Sequence, residues 1–129
     1  MTHILILEEN ELSSMILSHR LRSHGFSVDI TKKESLRTEL IEDLPRNSLI
    51  ILDCYIQELD KHDILLPIKR DKKLESIPII GFSTTLTQED FELAQKIGCD
   101  EIFKKDIDID ELVSQIHTLI NQKRIRNVC

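Results

Sequence analysis

The sequence predicts an α/β fold: a doubly wound, five-stranded parallel sheet in the order 2-1-3-4-5, with five helices distributed over both faces. Three observations carry this expectation. Strand-like and helix-like stretches alternate five times along 129 residues, the pattern of successive strand–helix units. The runs Ile4-Leu5-Ile6-Leu7, Leu49-Ile50-Ile51-Leu52 and Ile77-Pro78-Ile79-Ile80-Gly81-Phe82 are almost unbroken in apolar character, as strands buried on both faces must be. The second and fifth strand candidates are mixed in polarity and suit the edges. Together these select 2-1-3-4-5, which puts the switch point between strands 1 and 3.

Taken in order, strand 1 ends in Glu8 and Glu9, and Asn10 reads as the cap of a first helix closed by Gly25. Leu12, Met15 and Ile16 form its apolar stripe, with His19 at the same spacing read as a packed or rim residue. Phe26-Ser27-Val28-Asp29-Ile30 alternates as a half-exposed strand should. Residues 31–44 read as a second helix with Leu36, Leu40, Ile41 and Leu44 inward, ended by Pro45. Strand 3 leads to Asp53, and residues 54–59 read as a loop. A third helix over residues 60–72 buries Ile64, Leu65 and Ile68, with Pro67 imposing a kink or a late start. Strand 4 stops at Ser83-Thr84-Thr85. Thr87 with Asp90 resembles a capping box for a fourth helix ending at Gly98. Glu101-Ile102-Phe103-Lys104-Lys105 is the fifth strand. Asp108 with Glu111 then caps a last helix carrying Leu112, Val113, Ile116, Leu119 and Ile120, with Lys123, Arg124 and Arg126 at or just past its end.

Composition narrows the function. A formal net charge of −6 opposes binding of a nucleic-acid backbone through the global field and favours a site that holds a divalent cation. Cys54, Cys99 and Cys129 are odd in number and lack metal-ligand spacing, so a reducing cytoplasm fits better than a disulfide framework. His62 and His117 show no ligand spacing either, and Cys54 reads as a small packed residue. No apolar run reaches membrane-spanning length, and no signal peptide is visible. The expectation is a single cytoplasmic domain over residues 1–124 with a short tail over 125–129.

In an open α/β sheet, ligands bind beyond the carboxyl ends of the strands at the switch point. Glu8, Glu9 and Asp53 stand there. Carboxylates so crowded must either take up a proton or be neutralised by a cation, and magnesium accepts such ligands while keeping room for phosphate oxygens. Strand 4 brings a hydroxyl, Ser83, and strand 5 an ammonium, Lys105, to the same edge. A carboxylate nucleophile, a metal, a hydroxyl and a lysine describe phosphoryl transfer onto Asp53.

These residues give the chain its resemblance to the response-regulator receiver domains of two-component signalling, over residues 2–123. The resemblance rests on ILILEEN after strand 1, LIILD at strand 3, IPIIGFST at strand 4 and DEIFKK at strand 5. It implies a flavodoxin-like fold in which Asp53 accepts a phosphoryl group from a histidine kinase or phosphotransfer protein. Glu8, Glu9, Asp53 and the backbone carbonyl of Tyr55 would hold Mg²⁺, and Ser83 and Lys105 would engage the phosphoryl group. It also implies a signalling switch that assists only its own phosphorylation and dephosphorylation, with no further enzyme activity. The output would be a changed protein-binding surface over the fourth helix, fifth strand and fifth helix.

Departures from the family pattern fall at accessory positions. Glu9 stands where an aspartate is usual, and its extra methylene carries the carboxylate outward, so a weaker or water-bridged metal is expected. Gln57 and Lys61 replace a usual proline and glycine, Asp106 a usual cis-proline, and Ile102 the usual aromatic residue beside Phe103. Because the chain ends soon after the fifth helix, a stand-alone receiver is expected. A pseudo-receiver, binding proteins without phosphorylation, is the alternative that Glu9 motivates. An aspartate-nucleophile phosphatase would need a second aspartate where Tyr55 stands.

Overall fold

The computed structural model describes residues 2–8, 11–32, 42–45, 47–53 and 76–128. Their strands are β1 (His3–Glu8), β2 (Ser27–Lys32), β3 (Ser48–Asp53), β4 (Ile79–Ser83) and β5 (Glu101–Lys104). All pair in parallel in the order β2-β1-β3-β4-β5. The described helices are α1 (Glu11–Ser23), α2 (Gln88–Ile97) and α3 (Ile109–Val128). The third predicted helix, the residue 54–59 loop and most of the second predicted helix lie outside the described residues. Thr31 and Lys32, read above as the start of that second helix, instead extend β2 alongside Leu7 and Glu8.

Strand alternation divides the apolar side chains into two layers. Leu5, Leu7, Ile50, Leu52, Ile79 and Ile102 pack on one side of the sheet against Ala94 and Ile97 of α2. On the other side, Ile4, Ile6, Leu49, Ile51, Ile80 and Phe82 pack with Leu21 of α1 and with Leu112, Ile116 and Leu119 of α3. The central strands are therefore buried on both faces, which is why their sequences are apolar at consecutive positions. Gly25, at φ 91°, closes α1: its amide donates to the Arg22 carbonyl and the Phe26 amide to the Leu21 carbonyl, a Schellman arrangement that only glycine adopts without strain. Asp108 caps α3, accepting from the amides of Asp110 and Glu111. That helix runs on to Val128, so Lys123, Arg124 and Arg126 lie within it rather than at its end.

The stripe expected to bury α1 does not. Leu12, Met15 and Ile16 are 69%, 63% and 50% exposed, and His19 is exposed too. The inward face is Ser14, Leu17, Ser18 and Leu21, with both serines buried. Small side chains at these two positions let the helix axis approach the sheet, which larger residues would prevent. The cost is polar: the buried Ser18 hydroxyl has no hydrogen-bond partner among the described residues. Ser18→Ala removes that unsatisfied group and raises helix propensity, so it is expected to stabilise the fold by about 1 kcal/mol, read as a higher urea midpoint.

The amino edge of the sheet is tied down by polar contacts. The Asp100 carboxylate accepts from the Ile79 amide at 2.7 Å and pairs with Lys123 Nζ at 3.0 Å, joining the start of β4 to α3. Ser48 Oγ donates to the Pro45 carbonyl at 2.6 Å, and the His3 amide to that of Asn47 at 3.0 Å.

Candidate functional site

The opposite, carboxyl edge collects the residues with chemistry. Glu8 and Asp53 are the last residues of β1 and β3 and stand directly across from each other in the register. Neighbouring strands lie about 4.8 Å apart, so this register seats two acidic residues side by side. Ser83 is the last residue of β4, and its carbonyl accepts the Lys105 amide at 3.0 Å. Lys105 follows β5 directly. The backbone thus brings Glu8, Asp53, Ser83 and Lys105 to one edge. Glu9 and Tyr55 lie outside the described residues, as do Cys54, Gln57, Lys61 and His62.

Two acidic residues this close fit a shared divalent cation, whose charge offsets their repulsion. Among the described residues no group of three or more histidine, cysteine, aspartate or glutamate residues converges, so Glu8 and Asp53 are the described part of any such site. A cavity of about 140 Å³ lies nearby, lined in part by Ile16, Leu17, Arg20, Phe82, Lys105 and Ile107. It is well below the size that usually encloses a small organic ligand.

Ser83 is held by a network that sequence reading reached only in part. Its hydroxyl donates to Asp90 Oδ2 at 2.6 Å and accepts the amides of Leu86 at 3.1 Å and Thr85 at 3.3 Å. The same Asp90 oxygen accepts from Thr85 Oγ1 at 2.8 Å and from the Thr87 amide at 3.0 Å. The Asp90 amide in turn donates to Thr87 Oγ1, completing the capping box at the start of α2. Asp90 is only 3% exposed. Hydrogen bonds from Ser83, then from the Thr87 backbone and from Thr85, hold its carboxyl below the ordinary value against the opposing effect of burial. The spacing Thr87–Asp90 announced the cap; nothing local in the sequence announced that Ser83 shares the capping carboxylate.

Comparison with known proteins identifies the fold and the family. The family model of the response regulator receiver domain matches residues 4–117. A hybrid signal transduction histidine kinase of Dictyostelium discoideum is 27% identical over 124 residues, covering 93% of this chain but only 5% of that much longer protein. The two-component response regulator ORR5 of rice is 23% identical over 117 residues, covering 88% of this chain and 87% of its own. Among solved structures, the receiver domain of a sensor histidine kinase from Pseudomonas aeruginosa PAO1, crystallised with a magnesium ion in its active site cleft, superposes with a TM-score of 0.76. It is 23% identical and the match covers 92% of this chain and 97% of that one. With the sheet order, the acidic pair at the switch point and a family match over nearly the whole length, the chain belongs to the response regulator receiver domains.

Proposed function

We propose that this chain is a stand-alone cytoplasmic receiver that takes a phosphoryl group onto Asp53 from the phosphohistidine of a histidine kinase or phosphotransfer protein. The observation that carries the reading is the register that sets Glu8 beside Asp53 on the edge shared with Ser83 and Lys105. Support for the stand-alone form comes from the rice response regulator, of whose length the match covers 87%. In the transfer, a carboxylate oxygen of Asp53 attacks phosphorus as the phosphorus–nitrogen bond breaks. The imidazole leaves with the bonding pair and is reprotonated by solvent. Lys105 offsets negative charge on the phosphoryl oxygens, and Ser83 donates a hydrogen bond to one of them. Glu8, Glu9, Asp53 and the Tyr55 carbonyl are the proposed holders of Mg²⁺. The metal, when bound, supplies charge neutralisation at the oxygens that the transfer loads. The output is a change in the face made by α2, β5 and α3, read by a partner protein without direct contact to nucleic acid or membrane. Phe91 of α2 is 44% exposed.

Incubation with acetyl phosphate and magnesium tests the reading, with intact mass as the readout. A gain of one phosphoryl group per chain is the expected result. No gain overturns it, and no magnesium binding by titration then favours a pseudo-receiver that binds its partner constitutively.

A further inference from the structure

A hydroxyl offers one donor and two acceptor sites, and Ser83 has all three engaged. Its only hydrogen points to Asp90. The acceptor is an anion at neutral pH, nearly buried, and at 2.6 Å the bond is at the short, charge-assisted end of the range. Ser83 therefore cannot donate to another anion until this bond breaks. We propose that Asp90 is a positioning residue that competes with the phosphoryl group for the Ser83 hydroxyl and so sets how readily phosphorylation at Asp53 reaches α2. The proposal rests on the reading that Asp53 is phosphorylated and Ser83 serves it.

The geometry supplies both halves of such a latch. On one side, Ser83 ends β4 at the edge where Asp53 ends β3, with its carbonyl bonded to the Lys105 amide. On the other, Asp90 is the third residue of α2 and holds its capping box. Between them lies Leu86, at φ 52°, a left-handed conformation that a leucine adopts at a cost. Its amide donates to the Ser83 hydroxyl oxygen, so that contact helps keep the strained turn in place. When the Ser83 side chain swings so that its hydroxyl leaves Asp90 for a phosphoryl oxygen, the donated hydrogen bond is exchanged for another, Oγ moves away from its two amide donors, and no covalent bond changes. The amides of Thr85 and Leu86 lose their present acceptor, and Asp90 keeps the Thr85 hydroxyl and the Thr87 amide. The first turn of α2 then follows the state of Asp53 through two anions that share one proton donor.

The test is a double-mutant cycle on the full chain. Phosphorylation rates with acetyl phosphate and magnesium, read by intact mass, are compared for the wild type, Asp90→Asn, Ser83→Ala and the double variant. Asparagine retains an oxygen for the Thr87 amide but replaces the anion by a neutral, weaker acceptor. Asp90→Asn is expected to raise the rate roughly five-fold. In the Ser83→Ala background the same change should do nothing, because the hydroxyl under competition is gone. A general loosening of the cap would act equally in both backgrounds, and equal effects overturn the latch, as does the absence of any acceleration. No phosphoryl uptake by the wild type sinks the phosphorylation reading and the latch with it; uptake without coupling between the two sites sinks the latch alone. Should Asp90→Asn fail to fold, hydrogen exchange on the wild type decides. Loss of protection at the Thr85 and Leu86 amides on phosphorylation supports the latch, and unchanged protection on the fully phosphorylated protein overturns it.

Discussion

Asp53→Asn is expected to take up no phosphoryl group from acetyl phosphate and yet to melt at a higher temperature than the wild type. Both effects come from removing one carboxylate. The amide is a poor nucleophile and cannot form the acyl phosphate, so the mass gain should fall from one group per chain to none. The stability gain follows from the register, which seats Asp53 beside Glu8 at the end of two paired strands. Like charges on directly opposed residues of paired strands destabilise by up to about 1 kcal/mol, and that penalty disappears with the charge. For a domain of this size the melting temperature should rise by a few degrees. The comparison is made without magnesium, since a bound cation would offset the same repulsion. Phosphoryl uptake by the asparagine variant would place the acceptor elsewhere. A lower melting temperature would mean that the carboxylate makes a net stabilising contact in the folded chain.

The second large effect is on folding. Ile51 lies in the middle of β3, fully buried in the layer that joins the sheet to α1 and α3. Ile51→Ala removes that side chain from contacts supplied by rigid neighbours on adjacent strands, so the space cannot close completely. The expected loss is about 3–4 kcal/mol, the sum of lost burial and a residual cavity. Measured by urea unfolding at constant m-value, it would consume a large share of a typical domain's stability. A loss near 1 kcal/mol would show that the helices of this layer slide inward to fill the gap.

The sheet was legible because its signal is local and doubled. Ile4 to Leu7 and Leu49 to Leu52 are apolar at every position, and only burial on both faces explains that pattern, so the central strands and their order followed. The orientation of α1 was not legible, for the opposite reason. Leu12, Met15 and Ile16 fit one helical stripe, while Ser14, Leu17, Ser18 and Leu21 fit another about equally well. Hydropathy favours the first, but closeness to the sheet favours the second, and the latter depends on a partner surface that periodicity does not describe. The carboxyl-edge placement of Ser83 and Lys105 could be read from where strand patterns stop. The bond from Ser83 to Asp90 could not, because it depends on the turn at Leu86, a residue with no sequence preference for positive φ. Ile102 and Phe103 also show the limit of pattern matching. Ile102 belongs to the layer under α2 and Phe103 to the layer under α1 and α3, so the neighbouring phenylalanine does not stand in for the missing aromatic residue.

The ties at the amino edge have a consequence for how the molecule can change over time. Asp100 clamps the amide of Ile79, four strand residues from Ser83, which is about 13 Å along β4. Energetic effects at sites that far apart usually add without interfering. One end of the sheet behaves as a foundation and the other as a keyboard. Mutations at the keys can retune the switch while the foundation keeps the instrument standing.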